Sequence, residues 1–218
     1  MKPDLQVIED PAGAAAEVLA GASGHVVLTG GSTPRRAYER AAELKPDWSG
    51  VDVWFSDERC VPPDHEQSNF GTVSAALLDR VGGAVVHRMQ GELGPHDGAA
   101  AYERELDGAG PEEFDLMLLG LGPDAHIASL FPGDDALGER ERRVVGVEMA
   151  GMAPLVPRIT LTLPVVNASR RIVFLITGTD KAEAVSRAFS GRPDPRAPGS
   201  LVEGDVRVLM DAAAGARL

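Results

Sequence analysis

The chain has little with which to cross-link itself, span a bilayer or grip a polyanion. It carries one cysteine, Cys60, among 218 residues. No internal disulfide can form, and no C-x-x-C or H-E-x-x-H spacing is present to hold zinc. No apolar run approaches the ~20 residues that a membrane-spanning helix needs. The opening MKPDLQVIEDPAG lacks the basic-then-apolar layout of a secretory signal, so the expected location is cytoplasmic. Cations are in deficit: 21 Lys and Arg stand against 33 Asp and Glu, a net charge of −12. That balance argues against nucleic acid or an anionic membrane as partner. A small anionic substrate remains admissible, but it must meet a local cluster of cations, because the mean field repels it. The chain also has no internal repeat and no low-complexity segment.

What is present suits one α/β domain spanning residues 1–218. With 44% hydrophobic residues the chain can bury a substantial core. Apolar runs bounded by Gly, Pro, Asp or Asn predict strands at 25–29, 51–56, 85–88, 114–120, 159–162, 171–177 and 206–210. Helical stretches fall near 13–20, 34–44, 69–81, 98–106, 182–189 and 199–203. Strand and helix in alternation imply parallel β-structure with right-handed crossovers. Residues 191–199, GRPDPRAPG, read as a surface loop.

Four strand-to-helix loops carry the chemistry, and in an open parallel sheet such loops share a crevice at the carboxyl edge. In Thr29-Gly30-Gly31-Ser32-Thr33-Pro34 two glycines let the backbone approach a ligand, two hydroxyls follow, and the free amides of a helix start favour an anion. In Ser56-Asp57-Glu58-Arg59-Cys60 acids and a base stand at the end of an apolar strand. In Gly120-Leu121-Gly122-Pro123-Asp124-Ala125-His126 a carboxylate lies two residues before an imidazole, where it can orient the ring. The last loop, Thr177-Gly178-Thr179-Asp180-Lys181, puts a cation in the first turn of a helix. The macrodipole disfavours a cation there, so a bound anion explains Lys181 better than helix stability does. Arg158, before the strand at 159–162, is a second cation at a strand end.

The turn at 120–125 also fits the loose dinucleotide pattern G-x-G-x-x-G/A. Pro123 and Asp124 suit it poorly, since the carboxylate would repel a pyrophosphate. The acid expected about 20 residues on would be Glu141, in a charged segment unlike a strand. His25, His65, His87 and His96 lack comparable context and are read as structural or exposed. Ser129 and Cys60 are weaker nucleophile candidates, for neither sits in a G-x-S-x-G elbow.

LTGGSTP, WFSDERCVP with the trailing Asn69-Phe70, LLGLGPDAHIASLFPG and RITLTLPVVNASRRIVFLITGTDKAEAV resemble, in this order, the 6-phosphogluconolactonases. These belong to a wider family that includes the glucosamine-6-phosphate deaminases. The resemblance implies a modified doubly wound, Rossmann-like, mostly parallel sheet flanked by helices. It implies hydrolysis of 6-phospho-D-glucono-1,5-lactone to 6-phosphogluconate in the oxidative pentose phosphate pathway, with no cofactor or metal. A monomer is the expected state. The deaminase branch resembles Asp-Glu-Tyr where this chain has Asp57-Glu58-Arg59. It resembles His-Ile-Ala-Phe-Asn-Glu-Pro where this chain has His126-Ile127-Ala128-Ser129-Leu130-Phe131-Pro132. This chain therefore lacks the deaminase carboxylate, while Ala125 stands where the family often has Gly.

Lactone hydrolysis needs a base for water, donors for the oxyanion at C1 and an anchor for the remote phosphate. His126 is the expected base, because an imidazole ordinarily titrates near neutral pH, with Asp124 as its orienter. Gly30, Gly31, Ser32, Thr33, Arg158 and Lys181 are the expected phosphate site, and Asp57 and Arg59 the expected contacts to hydroxyls or oxyanion. The alternatives are a deaminase or isomerase acting on a sugar phosphate, or a non-catalytic sugar-phosphate sensor of the same fold.

Overall fold

The structure is a computed structural model that describes residues 2–218. The chain order is β1 (Asp4–Val7), α1 (Pro11–Ala20), β2 (Gly24–Leu28), α2 (Ser32–Leu44), β3 (Val51–Phe55), β4 (Asp57–Arg59), α3 (Asn69–Ala76), β5 (Val85–Val86), α4 (Pro95–Ala109), β6 (Leu116–Leu119), β7 (Val144–Val147), β8 (Arg158–Leu161), α5 (Leu163–Asn167), β9 (Ile172–Ile176), α6 (Ala182–Phe189) and β10 (Val206–Met210). Seven strands form one parallel sheet in the order β1-β10-β9-β6-β2-β3-β5. β6 and β9 are buried at every position, as central strands covered on both faces must be.

Strand order reverses between β2 and β6, which lie side by side. From β2 the chain steps one way to β3 and β5, and from β6 it steps the other way to β9 and β10. This is the topological switch point, where the first loops of the two halves diverge and leave a crevice. The phosphate-loop candidate follows β2 and the Asp-His turn follows β6, so the two open onto the same gap.

Two expectations are corrected. The strand at 159–162 is not part of the parallel sheet. Its counterpart β8 runs antiparallel between β4 and β7 in a separate three-stranded sheet. The switch between sheets is made at Ser56, whose N–H donates to Leu28 of β2 while its carbonyl accepts from Leu161 of β8. The helix at 69–81 breaks at Leu77 (φ −134°, ψ −62°), leaving α3 and a single 3₁₀ turn. β1, β4, β7 and α5 were not foreseen. β1 is a largely exposed edge strand without alternation, and β4 is three charged residues made into a strand by its partner β8.

Local signals explain the helix starts. Asp10 caps α1 by accepting from the Gly13 amide at 3.2 Å, with Pro11 at the first position. Ser68 caps α3 by accepting from the Gly71 amide at 3.0 Å. α2 is different, for Gly31 at its N-cap (φ +108°) supplies no side-chain acceptor. Its first amides are left for something else.

Candidate active site

The two tyrosines of the chain hold the strand ends that lead into the crevice. Tyr38, buried on α2, donates its hydroxyl to the Thr29 carbonyl at 2.7 Å and accepts from the Thr29 amide at 3.0 Å. Tyr102, buried on α4, accepts from the Phe55 amide at 2.9 Å. Burial pushes both phenols up, away from ionisation. Sequence reasoning missed these struts, because a helical tyrosine carries no sign of which backbone it will reach.

The phosphate-loop candidate is open. Gly31 and Ser32 are exposed, and the uncapped start of α2 presents its amides with the positive end of the helix dipole. Thr33 Oγ1 lies 3.1 Å from Thr177 Oγ1 at the end of β9, so Thr177 joins the hydroxyls that line this half of the crevice. Lys181 lines both halves. It ends a 3₁₀ turn over Thr179–Lys181 rather than lying within α6, and its Nζ stands 3.6 Å from the exposed carboxylate of Asp180.

The other half is lined by Asp57, Arg59, Asn69, Gly122 and His126. His126 Nδ1 is 2.6 Å from Asp124 Oδ1, and the same oxygen accepts from the His126 backbone amide at 3.1 Å. Burial works to raise the Asp124 carboxyl, but the hydrogen bond and charge of His126 outweigh it and hold the acid below its usual range. The pair rests on Gly122, where a methyl group would overlap the imidazole. Gly122 therefore serves the histidine, which accounts for the glycine pattern without a dinucleotide. Ala125 adopts φ +70° with its methyl fully buried. Burying one methyl offsets left-handed strain of roughly 1 kcal/mol, so the turn tolerates alanine there.

Phe131 occupies the flank of the imidazole, with ring centroids 4.5 Å apart. An apolar ring thus stands where the deaminase-like pattern would bring a carboxylate. Asp57 is 5% exposed and already engaged. Its Oδ1 accepts from the Ser56 hydroxyl at 3.0 Å and the Asn69 amide at 3.3 Å, and its Oδ2 accepts from the Ser129 hydroxyl at 2.7 Å. Ser129 is fully buried with its proton committed to Asp57. Burial, then the Glu58 charge, pushes the Cys60 thiol up to about 12, so neither side chain is poised as a nucleophile. Glu58 accepts the backbone amides of Arg59, Asn69 and Phe70 at 2.6, 2.7 and 2.8 Å. It ties β4 to the start of α3.

Arg59 faces the crevice and donates to the Gln67 carbonyl at 2.6 Å. Arg158 does not line the crevice. It is 3% exposed on β8 and donates to the carbonyls of Val156 and Pro154 at 3.1 and 2.7 Å, behind the segment that brings Met152 and Ala153 to the wall. Burial lowers its affinity for the proton, and the Asp57 charge opposes this. Of the other histidines, His87 is buried, stacked on Trp54 at 3.8 Å. His25 Nδ1 accepts from the Trp54 indole at 3.1 Å, and His65 and His96 are exposed. Among the described residues no group of three or more His, Cys, Asp or Glu side chains is placed to hold a metal ion.

A glycine-rich helix start beside Lys181 and a hydrogen-bonded Asp124–His126 pair face one switch-point crevice of an α/β protein. The chain belongs to the family of glucosamine-6-phosphate isomerases and 6-phosphogluconolactonases, whose family model matches residues 6–210. It is 39% identical over 216 residues to the 6-phosphogluconolactonase of Streptomyces coelicolor, covering 90% of this chain and 82% of that protein. It is 38% identical over 205 residues to that of Nostoc sp., covering 88% and 84%. The solved 6-phosphogluconolactonase of Thermotoga maritima superposes with a TM-score of 0.84 at 32% identity over 96% of this chain and 98% of that one. A monomeric glucosamine-6-phosphate deaminase superposes as well, with a TM-score of 0.83 at 21% identity. Fold alone therefore does not separate the two branches.

Proposed function

We propose that this chain hydrolyses 6-phospho-D-glucono-1,5-lactone to 6-phospho-D-gluconate, the second step of the oxidative pentose phosphate pathway, with water activated by His126. The observation that carries this reading is the setting of that imidazole. Nδ1 is held by Asp124, Nε2 has no protein partner among the described residues, and the flank is closed by Phe131 rather than by a second acid. One base suffices for a lactone, which is an activated ester. Ring opening and proton transfer on an amino sugar need a further acid–base group.

In the reaction Nε2 takes a proton from water as the oxygen attacks C1. The carbonyl becomes an oxyanion, collapse breaks the bond between C1 and the ring oxygen, and the imidazolium returns the proton to that oxygen. Asp124 fixes the tautomer and stabilises the transient imidazolium. Gly30, Gly31, Ser32, Thr33 and Lys181 take the phosphate, which carries about −1.5 to −2 charges near neutral pH. Arg59 supplies donors to the oxyanion and sugar hydroxyls, beside the carboxylate of Asp57. Arg158 adds positive charge from behind the wall and no contact of its own. A monomer is the state we take for it. No helix is long and apolar enough to cross a membrane among the described residues, and we place the enzyme in the cytoplasm.

The test generates the lactone in situ and follows acid release with and without purified protein, beside a glucosamine 6-phosphate control. Release well above the spontaneous rate and no ammonia are expected. Steady ammonia production would overturn the choice of branch.

A further inference from the structure

Asn69 lines the His126 half of the crevice and lies against Gly30, which lines both halves. It is 1% exposed at the start of α3, and its Nδ2 donates to the Asp57 carbonyl at 2.8 Å and to Asp57 Oδ1 at 3.3 Å. Both partners are acceptors, so the amide cannot be turned over without setting oxygen against oxygen. Its Oδ1 is buried with no hydrogen-bond partner. A buried carbonyl oxygen without a donor is costly, and this one is pressed against the phosphate-loop backbone. A methyl group built on Gly30 would overlap both Oδ1 and Cγ of Asn69.

The two adjacent glycines therefore exist for different reasons. Gly31 lies at φ +108°, a conformation that side chains resist, whereas Gly30 is not among the residues at positive φ. Its backbone accepts an alanine. What excludes one is the Asn69 amide.

We propose that Asn69 is a positioning residue for the reaction: its amide is a rigid spacer that sets the Gly30-Gly31 loop at a fixed height above the Asp57–Arg59 strand. The phosphate is held on one side of that spacer, and Arg59, with Asp57 beneath it, faces the reacting end on the other. The spacing decides whether C1 of an anchored substrate meets His126. Misplacement by about 1 Å can cost about 10²-fold in rate, so a buried, imperfectly satisfied amide is tolerated here. The inference rests on the assignment of the crevice made above.

The experiment compares Gly30→Ala, Asn69→Ala and the double variant in the full chain, with His126→Ala as a separate control. It reads kcat, KM for the lactone, inhibition by inorganic phosphate, and melting temperature. Gly30→Ala is expected to lower kcat/KM about 10²-fold. Asn69→Ala is expected to lower kcat about tenfold, with phosphate inhibition within about twofold of wild type, since the anion site survives while its alignment does not. The double variant is expected to regain about tenfold over Gly30→Ala, because removing the amide restores the room that the methyl needs. Gly30→Ala within twofold of wild type would overturn the proposal, and so would a double variant whose loss is the product of the single losses. If Asn69→Ala does not fold, Asn69→Ser is put through the same comparison. Activity in His126→Ala would sink the assignment of the crevice instead, and it reads independently of the coupling.

Discussion

At the scale of single residues, the histidine and its aspartate have separable consequences. His126→Ala should lower kcat by about 10²- to 10⁴-fold with KM nearly unchanged, the usual span for a positioned general base. Turnover within threefold of wild type, after subtraction of spontaneous hydrolysis, would end the assignment. Asp124 makes a second prediction through stability. Its folded-state pKa is depressed, so its contribution is present above the unfolded value of about 3.9 and is lost as pH falls through the folded value. The melting-temperature gap between wild type and Asp124→Asn should be largest above the ordinary carboxylate range and close as pH falls below it. Glu58 has the opposite sign, since burial raises its carboxyl, but it is common to both proteins and cancels in the difference. A gap that does not change with pH would mean that the aspartate is held by geometry alone.

At the scale of elements, the three-residue strand β4 is where polar groups rather than apolar burial hold the structure. Glu58 gathers three backbone amides and the Ser68 hydroxyl. This lets a charged tripeptide lie in a sheet and fixes the first turn of α3 against it. A glutamine has one acceptor oxygen for these four donors and sets an amide NH₂ against the rest. Glu58→Gln should therefore cost about 2–3 kcal/mol and lower the melting temperature by about 5–10 °C. Differential scanning calorimetry measures this directly, and a loss below about 1 °C would show that β4 is held by its pairing with β8 alone.

At the scale of the whole molecule, a net charge of −12 makes the proposed anion site a local exception to the mean field. Lys181, the loop amides and the uncapped end of α2 must together overcome that repulsion. Lys181→Ala should weaken inorganic phosphate binding by about 1.5–3 kcal/mol, the range for hydrogen bonds to charged groups. A δ-lactone without the phosphate should be a poor substrate in kcat as well as KM, since energy from the remote group orients the reacting carbon. The two effects should not multiply. Lys181→Ala ought to leave turnover of the phosphate-free lactone within about twofold of wild type, and a further loss there would place the lysine at the reacting end.

Much of this was legible in the linear chain, for reasons of local chemistry. Apolar runs ended by Gly and Pro marked the central strands. Alternation with helices implied a parallel sheet, and the order of loops put Asp124, His126, the glycine loop and Lys181 on one edge. Helix α6 and strand β10 matched their expected bounds, because periodicity and punctuation agree there. Tertiary structure alone decided what depends on partners distant in sequence. β8 reads as any other apolar strand, and only its pairing with β4 and β7 takes it out of the parallel sheet. Arg158, expected beside the phosphate, has its guanidinium drawn behind the wall by two carbonyls. Tyr38 and Tyr102 carry no local sign of the strand ends they hold, and although Thr177 and Asn69 lie in or beside the marked loops, their partners Thr33 and Asp57 are brought to them only by the fold. A local sequence determines which groups are available and on which edge they emerge. The distances between them are set by packing, which no stretch of this chain specifies by itself.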